Sequence, residues 1–294
     1  LQTLTTDLFL ELPDTRPLTM LNQLTKYIVY TAIVTLCGGI HLAAQTAPGP
    51  ELTLERVFSS DELIPETFGP ARWLADGSSY TTVEPSSASA GGHDIVRYDA
   101  ATGSRQVLVS SARLIPEGHT TALEIDDYRW SPDGRFLLLF TNSRRVWRQN
   151  TRGDYWVIDR ETWAMHQLGG DARPSTLMFA KFAPTGRRVA YVREHNLYVE
   201  AFPEGQVQQL TSDGSDTLIN GTFDWVYEEE LGLRDGYRWS PDGRFIAYWQ
   251  LDSSEVRNFT LINNTDSLYP ELVTIPYPKA GERNSSGRIG VVSA

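Results

Sequence analysis

The sequence predicts an all-β chain: a β-propeller of four-stranded antiparallel blades, about four of them, in a ring that is expected to be incomplete. Three observations predict it. YRWSPDGRF occurs at Tyr128–Phe136 and again, unchanged, at Tyr237–Phe245. Each copy carries tight-turn chemistry followed by a strand-like apolar run. No window holds a helical period for long, whereas short strand-like segments recur every fifty-odd residues, as propeller blades do.

The elements of one repeat follow in order. Degenerate copies of the motif stand at ARWLADGSSYT, Ala71–Thr81, and at KFAPTGRRVAYV, Lys181–Val192. The aligned aromatics are Trp73, Trp130, Phe182 and Trp239. Each is expected to end a first strand and pack inward. Ser-Pro-Asp-Gly then turns the chain: Pro132 presets φ, and Gly134 accepts a positive φ. The second strand, FLLLF or FIAYWQ, is apolar enough to be expected buried on both faces. The third strand is DIVRYDA (94–100), DYWVIDR (154–160) or NLYVEAF (196–202). A turn such as ATGS leads to the fourth, RQVLVS, AMHQLGG or GQVQQLT. The final RIGVVSA begins one more strand and stops, so the chain reads as truncated before the ring closes. The repeat residues are scaffold and supply no site candidates.

Composition narrows the classes. The chain has 294 residues, 40% hydrophobic, with 8 Trp, 13 Tyr and 11 Phe. That composition supports a folded core rather than a disordered chain. The single cysteine, Cys37, excludes an internal disulfide and a cysteine-based zinc cluster. No metal and no cofactor is expected. A formal net charge of −11 makes nucleic acid a poor partner and favours cationic ligands.

The first methionine is Met20, so residues 1–19 read as upstream sequence. Lys26 followed by YIVYTAIVTLCGGIHLAA, Tyr27–Ala44, has the layout of an export signal. Residues 20–44 are therefore expected to be a cleaved signal peptide or a retained signal anchor. A lipid anchor on Cys37 is disfavoured by the bulky Leu36 before it. Residues 45–50 read as a linker, and 51–294 as the partial propeller. The expected location is outside the cytoplasm: periplasmic, secreted or anchored at the cell envelope.

One stretch does not fit the repeat. DWVYEEE, Asp224–Glu230, places three glutamates in a row behind two aromatics. In a strand, adjacent glutamates would face opposite ways. On a helical turn they lie about 100° apart and can converge. Convergent carboxylates raise each other's pKa, and a bound ammonium, with three donors and one charge, would offset that. On the residues alone, a solvated acidic turn, a cation site, a glycosidase-like carboxylate pair and a metal site all remain open.

TLINGTFDWVYEEELGLRDGYRWSPDGRFIAYWQLD and SLYPELVTIPYPKAGERN, Ser267–Asn284, resemble the propeller of dipeptidyl peptidase IV. The likeness runs from about Leu52 to the end. It implies that DWVYEEE sits on a short helical excursion from a blade, and that its last two glutamates, here Glu229 and Glu230, bind the free α-amino group of a peptide. The W-R element of NSRRVWRQN, Asn142–Asn150, implies that Arg148 pairs with those glutamates and binds a substrate carbonyl. Arg144 and Arg145 stand close enough to be rivals.

That family cleaves with a Ser-Asp-His triad on an α/β-hydrolase domain. No G-x-S-x-G occurs here, and His41, His93, His119, His166 and His195 read as structural or surface residues. No catalytic residue is expected in this chain, which alone should be inactive. The expected partners are peptides with a free N-terminus and the C-terminal hydrolase domain of the parent; a homodimer stays open. Two other readings remain. One is a non-enzymatic propeller that binds protein partners. The other is the propeller of an acylaminoacyl peptidase or oligopeptidase relative.

Overall fold

The motif that repeats in the sequence is a β-turn closed from both sides. Gly134, at φ +70°, donates its N–H to Ser131 O at 2.9 Å, and Ser131 Oγ lies 2.5 Å from Asp133 Oδ1. Ser240-Pro-Asp-Gly243 repeats the arrangement, with Gly243 N–H on Ser240 O at 2.9 Å.

A computed structural model of the chain describes residues 25, 28, 51–65 and 67–294. The readings made for residues 1–19, 20–44 and 45–50 lie outside these, apart from Thr25 and Ile28, which are helical and exposed. Among the described residues no helix is long and apolar enough to cross a membrane. The chain divides into two units, Leu1–Glu66 and Thr67–Ala294. Residues 51–65 of the first hold one short helix, α1 (Leu54–Phe58), whose N-cap Thr53 accepts the Arg56 N–H.

The second unit holds the propeller blades. Blade one is β1 (Arg72–Trp73), β2 (Ser79–Pro85), β3 (His93–Asp99) and β4 (Arg105–Val109), antiparallel and in chain order. Blade two is β5 (Asp127–Trp130), β6 (Phe136–Val146), β7 (Gln149–Asp159) and β8 (Met165–Gln167). Blade three is β9 (Leu177–Phe182), β10 (Arg188–Arg193), β11 (Asn196–Ala201) and β12 (Gln206–Gln209). Blade four begins with β13 (Leu218–Asn220), the helix α2 (Trp225–Glu229), β14 (Tyr237–Trp239) and β15 (Phe245–Asp252). A hairpin of β16 (Asn258–Asn263) and β17 (Glu271–Pro276) follows, and β18 (Ser286–Ser293) returns to pair with β15. RIGVVSA thus belongs to the third strand of blade four. The β16–β17 hairpin is an excursion that the repeat pattern did not announce.

Consecutive blades are latched by side chains at equivalent repeat positions. Arg72 pairs with Asp127 and donates from Nε to Tyr128 O at 3.2 Å; Lys181 pairs with Asp235 and donates to Tyr237 O at 2.8 Å. The tyrosines reach back. Tyr128 Oη lies 2.8 Å from Thr81 Oγ1, and Tyr237 Oη lies 2.7 Å from Ala190 O. Both tyrosines are fully buried. Between blades two and three the backbone itself bridges: β7 runs past β8 and pairs with β9 at Arg152–Met178 and Gly153–Leu177. The core lies between blades, with Leu137, Leu139, Ile158 and Leu114 in one cluster and Ala190, Val192, Leu197 and Ile246 in another.

Two expectations need correction. Trp73 does not pack inward; it is 65% exposed, edge-on to Tyr80. Trp130 and Trp239 are sheltered because each donates its indole N–H to the preceding blade, to Thr81 Oγ1 and Lys181 O, and lies under an arginine, Arg160 and Arg188. β1 is the first strand of its unit, so among the described residues no earlier blade receives Trp73. The second correction is that, of FLLLF in β6 and FIAYWQ in β15, only the first is buried on both faces. In β15, Ile246 is buried but Phe245 and Trp249 are exposed, beside exposed Ile289 and Val291 of β18. Only one face of β15 meets another blade.

Candidate functional site

Two departures from the repeat bring the site together. The first is an arm. β6 and β7 are 11 residues long, well beyond their neighbours, and project as a hairpin. Its base is bent where the register shifts between Thr141 and Arg144. Asn142, at φ 47°, is held there by its amide on Asp154 Oδ2 at 2.7 Å. The tip is Val146-Trp147-Arg148-Gln149, with Trp147 at φ 38°, a conformation that a bulky residue rarely adopts.

The second departure is an interruption of the innermost strand of blade four. β13 and β14 both pair with β15, end to end, and α2 lies in the segment looped out between them. The chain leaves at Gly221 (φ +76°) and returns at Gly236, whose N–H donates to Gly221 O at 3.0 Å. A Cβ on Gly236 would stand 2.9 Å from the Gly221 carbonyl carbon. Only glycine lets the two ends meet this closely.

Within the excursion, the local sequence dictates a single helical turn. Asp224 is the N-cap, accepting the Tyr227 N–H at 3.1 Å and a bond from Ser285 Oγ. Gly232, at φ +68°, ends the helix, its N–H on Glu228 O at 3.1 Å. Trp225 packs on Tyr277 with centroids 4.5 Å apart, so the chain just past β17 buttresses the helix. Tyr227 packs against the Ile219, Phe223 and Leu251 cluster.

The three glutamates then part company. Glu228 turns inward, 4% exposed, with Arg234 Nε 3.4 Å from Oε1. Burial pushes its carboxyl above the usual range; Arg234 opposes the shift, and neighbouring Glu229 adds to it. Glu228 also lines a cavity of about 260 Å³ with Trp147, Arg152, His195, Phe223 and Asp224. Burial lowers the His195 imidazole, which sits at φ 61° in the two-residue β10–β11 turn. The Glu229 side chain is 4% exposed, and its Oε2 pairs with Arg148 Nε at the tip of the arm. Its Oε1 is buried and has no hydrogen-bond partner. Glu230 is exposed at the helix C-cap and makes no side-chain ion pair or hydrogen bond among the described residues.

The structure therefore joins Arg148 to Glu229 and leaves Glu230 beside them, open to solvent. Arg144 stands across the ladder from Arg152, and Arg145 reaches only Arg148 O, at 3.5 Å. Neither touches α2. The pairing of Glu228 with Arg234 was not foreseen; the single hint is an arginine six residues on, in ELGLRDG. Three consecutive carboxylates at the C-terminal end of a helix are also disfavoured by the helix dipole. Chemically, the arrangement presents a desolvated carboxylate oxygen that lacks a donor, one guanidinium, and a second carboxylate free to turn toward a cation.

Residues 131–294 match the family model described as the dipeptidyl peptidase IV (DPP IV) N-terminal region. The chain is 34% identical over 192 residues to dipeptidyl aminopeptidase B of Saccharomyces cerevisiae, covering 64% of this chain and 23% of that protein. It is 32% identical over 205 residues to dipeptidyl peptidase 4 of Sus scrofa, covering 68% and 26%. The crystal structure of Porphyromonas gingivalis dipeptidyl peptidase 4 superimposes with a TM-score of 0.71 at 30% identity, over 83% of this chain and 34% of that one. The chain thus spans about a quarter of the length of these curated relatives. With the interrupted blade, the arm and the family match together, the chain belongs to the dipeptidyl peptidase IV N-terminal region family.

Proposed function

We propose that this chain is the substrate-recognition propeller of a serine exopeptidase that releases N-terminal dipeptides, and that Glu229 and Glu230 bind the free amino terminus of the peptide. The observation that carries the reading is the orphaned Oε1 of Glu229, buried beside the Arg148 pair. A buried acceptor without a donor costs roughly 1–3 kcal/mol, and a peptide ammonium supplies three donors and the matching charge. Arg148 has the complementary task. It is 79% exposed, so its Nη groups remain available to a substrate carbonyl while Nε holds Glu229.

Such an anchor selects chain ends, because a nitrogen inside a peptide carries no charge. It also measures length. An extended residue spans about 3.3–3.6 Å, so a nucleophile held roughly two residues from the anchor would cut after the second residue. In this reading the nucleophile and its triad belong to a hydrolase domain of the parent protein, and proline or alanine at the second position is the expected preference. The open apolar face of β15 and β18 is where a following blade would pack. The segment 20–44 would direct export.

The test is kinetic, on the full-length protein with a Gly-Pro or Ala-Pro reporter. Glu229→Ala and Glu230→Ala should each lower kcat/KM by about 30-fold to several thousand-fold, the range for truncating one partner of a desolvated charge pair. Arg148→Ala should also lower it, by leaving Glu229 without its guanidinium. Glu228→Ala should cost much less, since Glu228 faces Arg234 and the inner cavity. N-acetylation of the reporter should abolish cleavage. If Glu229→Ala and Glu230→Ala leave hydrolysis unchanged, or the acetylated reporter is cleaved equally well, the amine-anchor reading is wrong.

A further inference from the structure

A second charged feature lies at the base of the same arm. Arg144 and Arg152 stand directly opposite each other on β6 and β7. Like charges in facing positions on a ladder destabilise it. Neither side chain makes an ion pair or hydrogen bond among the described residues, and both are exposed. They line a hollow of about 370 Å³ together with Arg173, Asn142, Ser175 and Thr176, and no carboxylate lines it. In a chain with 37 acidic and 26 basic residues, three guanidiniums around an acid-free hollow run against the general charge.

The hollow is held in shape by its surroundings. Asp154 does not line it; both its oxygens are spent on the bent part of β6 and the 173–176 loop, which do, Oδ2 on the Asn142 amide and Oδ1 on the Ser175 N–H, each at 2.7 Å. Ser175 Oγ donates to Asn142 O at 2.7 Å. Asn142 and Ser175 both have left-handed backbones, at φ 47° and 58°, so these bonds hold two uncommon conformations side by side. Arg173 has one partner, Glu194, at 3.0 Å. That pair is exposed on both sides, and such pairs contribute little, so Arg173 is available to a stronger acceptor.

We propose that this hollow binds an oxyanion, the carboxylate or phosphate group of a small molecule, gripped by Arg144, Arg152 and Arg173. A guanidinium presents its N–H groups as a planar fork that fits two oxygens of either group. A bound anion would also relieve the repulsion between Arg144 and Arg152. The site uses neither Glu229 nor Arg148 and does not depend on that reading, although Arg152 also lines the cavity beside Glu228.

The test is isothermal titration calorimetry of the full-length protein with inorganic phosphate and with citrate, at an ionic strength fixed with sodium chloride. Saturable binding of at least one of the two is expected. Phosphate alone would assign a phosphate-bearing ligand, and citrate alone a carboxylate. The double variant Arg144→Gln, Arg152→Gln should bind at least tenfold more weakly. It should also melt no lower than the wild type without anion, since a repulsive pair is gone. Arg173→Gln, on a loop outside the ladder, should weaken binding too and serves where the double variant does not fold. Arg145→Gln should leave binding unchanged. The proposal is overturned if neither anion gives a saturable heat, or if the arginine variants bind as tightly as the wild type.

Discussion

Lys181 offers a direct measure of how firmly one blade is latched to the next. Its ammonium is largely buried, 16% exposed, between Asp235 and Tyr237 O, and over the face of the Tyr237 ring. Burial lowers its pKa from the ordinary 10.5 to about 8, with Asp235 opposing the shift. A base depressed in this way sheds its proton at about pH 8 when folded and at 10.5 when unfolded. Between those values the unfolded chain holds more protons, so this group adds stability as pH rises. Below pH 8 the gain is absent, and above 10.5 it is complete. At about 1.4 kcal/mol per unit, the whole swing is about 3 kcal/mol. The comparison is urea unfolding of the full-length wild type and Lys181→Met at several pH values between 7 and 10.5. Other titrating groups are common to both proteins, and Asp235 keeps Arg238 at 3.1 Å in each. The stability of the wild type minus that of the variant should climb by about 3 kcal/mol across the window. A difference that stays flat, or falls, would refute the claim that a desolvated ammonium sits at this joint.

Two further outcomes follow from buried backbone and buried charge. Glu200 in β11 is 1% exposed and takes the Gly169 N–H at 2.9 Å and the Tyr191 hydroxyl at 3.1 Å, with His166 Nε2 2.7 Å away. Glu200→Ala strands these groups and should cost about 3–5 kcal/mol in urea unfolding; Glu200→Gln should lose clearly less, and an alanine variant within about 1 kcal/mol of wild type would contradict the network. Gly236→Ala forces a Cβ against the Gly221 backbone and should cost about 1–3 kcal/mol. It should also depress hydrolysis of a free-amine dipeptide reporter, because the excursion no longer closes; unchanged unfolding and unchanged hydrolysis would show that the junction tolerates a side chain.

The blades were legible in the sequence because one local signal recurs: a Ser-Pro-Asp-Gly turn between an aromatic and an apolar run. DIVRYDA, DYWVIDR and NLYVEAF fall in β3, β7 and β11, and the fourth strands in β4, β8 and β12. Burial was less legible, since it depends on what packs against a strand rather than on the strand. FLLLF and FIAYWQ look alike, yet β6 has neighbours on both faces and β15 on one. At the candidate site, the resemblance implied that Arg148 pairs with Glu229 and Glu230; in the structure Arg148 meets Glu229, while Glu230 makes no side-chain pair among the described residues. The inward turn of Glu228 onto Arg234 could not be read. It is decided by which side of a five-residue helix faces the Phe223 and Leu251 cluster, a fact of packing, not of pattern.

The proposed site is found where the repeat is broken. Blade three shows the unmodified plan: β10 and β11 join through two residues, Glu194 and His195, and the inner strand β9 is continuous. Blade two spends extra residues to lengthen the same hairpin into the arm, and blade four interrupts its inner strand to eject α2. Each change carries local costs, in a left-handed Trp147, three like charges in sequence and a carboxylate oxygen without a donor. The arm adds nothing to the core clusters, and the excursion adds only Phe223, with Tyr227 against it, to a small cluster with Ile219 and Leu251. Features that a fold tolerates without needing them mark function more reliably than its regular parts. The two irregular segments, distant in sequence, meet at a single Arg148–Glu229 pair, so their costs converge on one buried carboxylate with an oxygen that lacks a donor, the feature on which the proposed amine anchor rests.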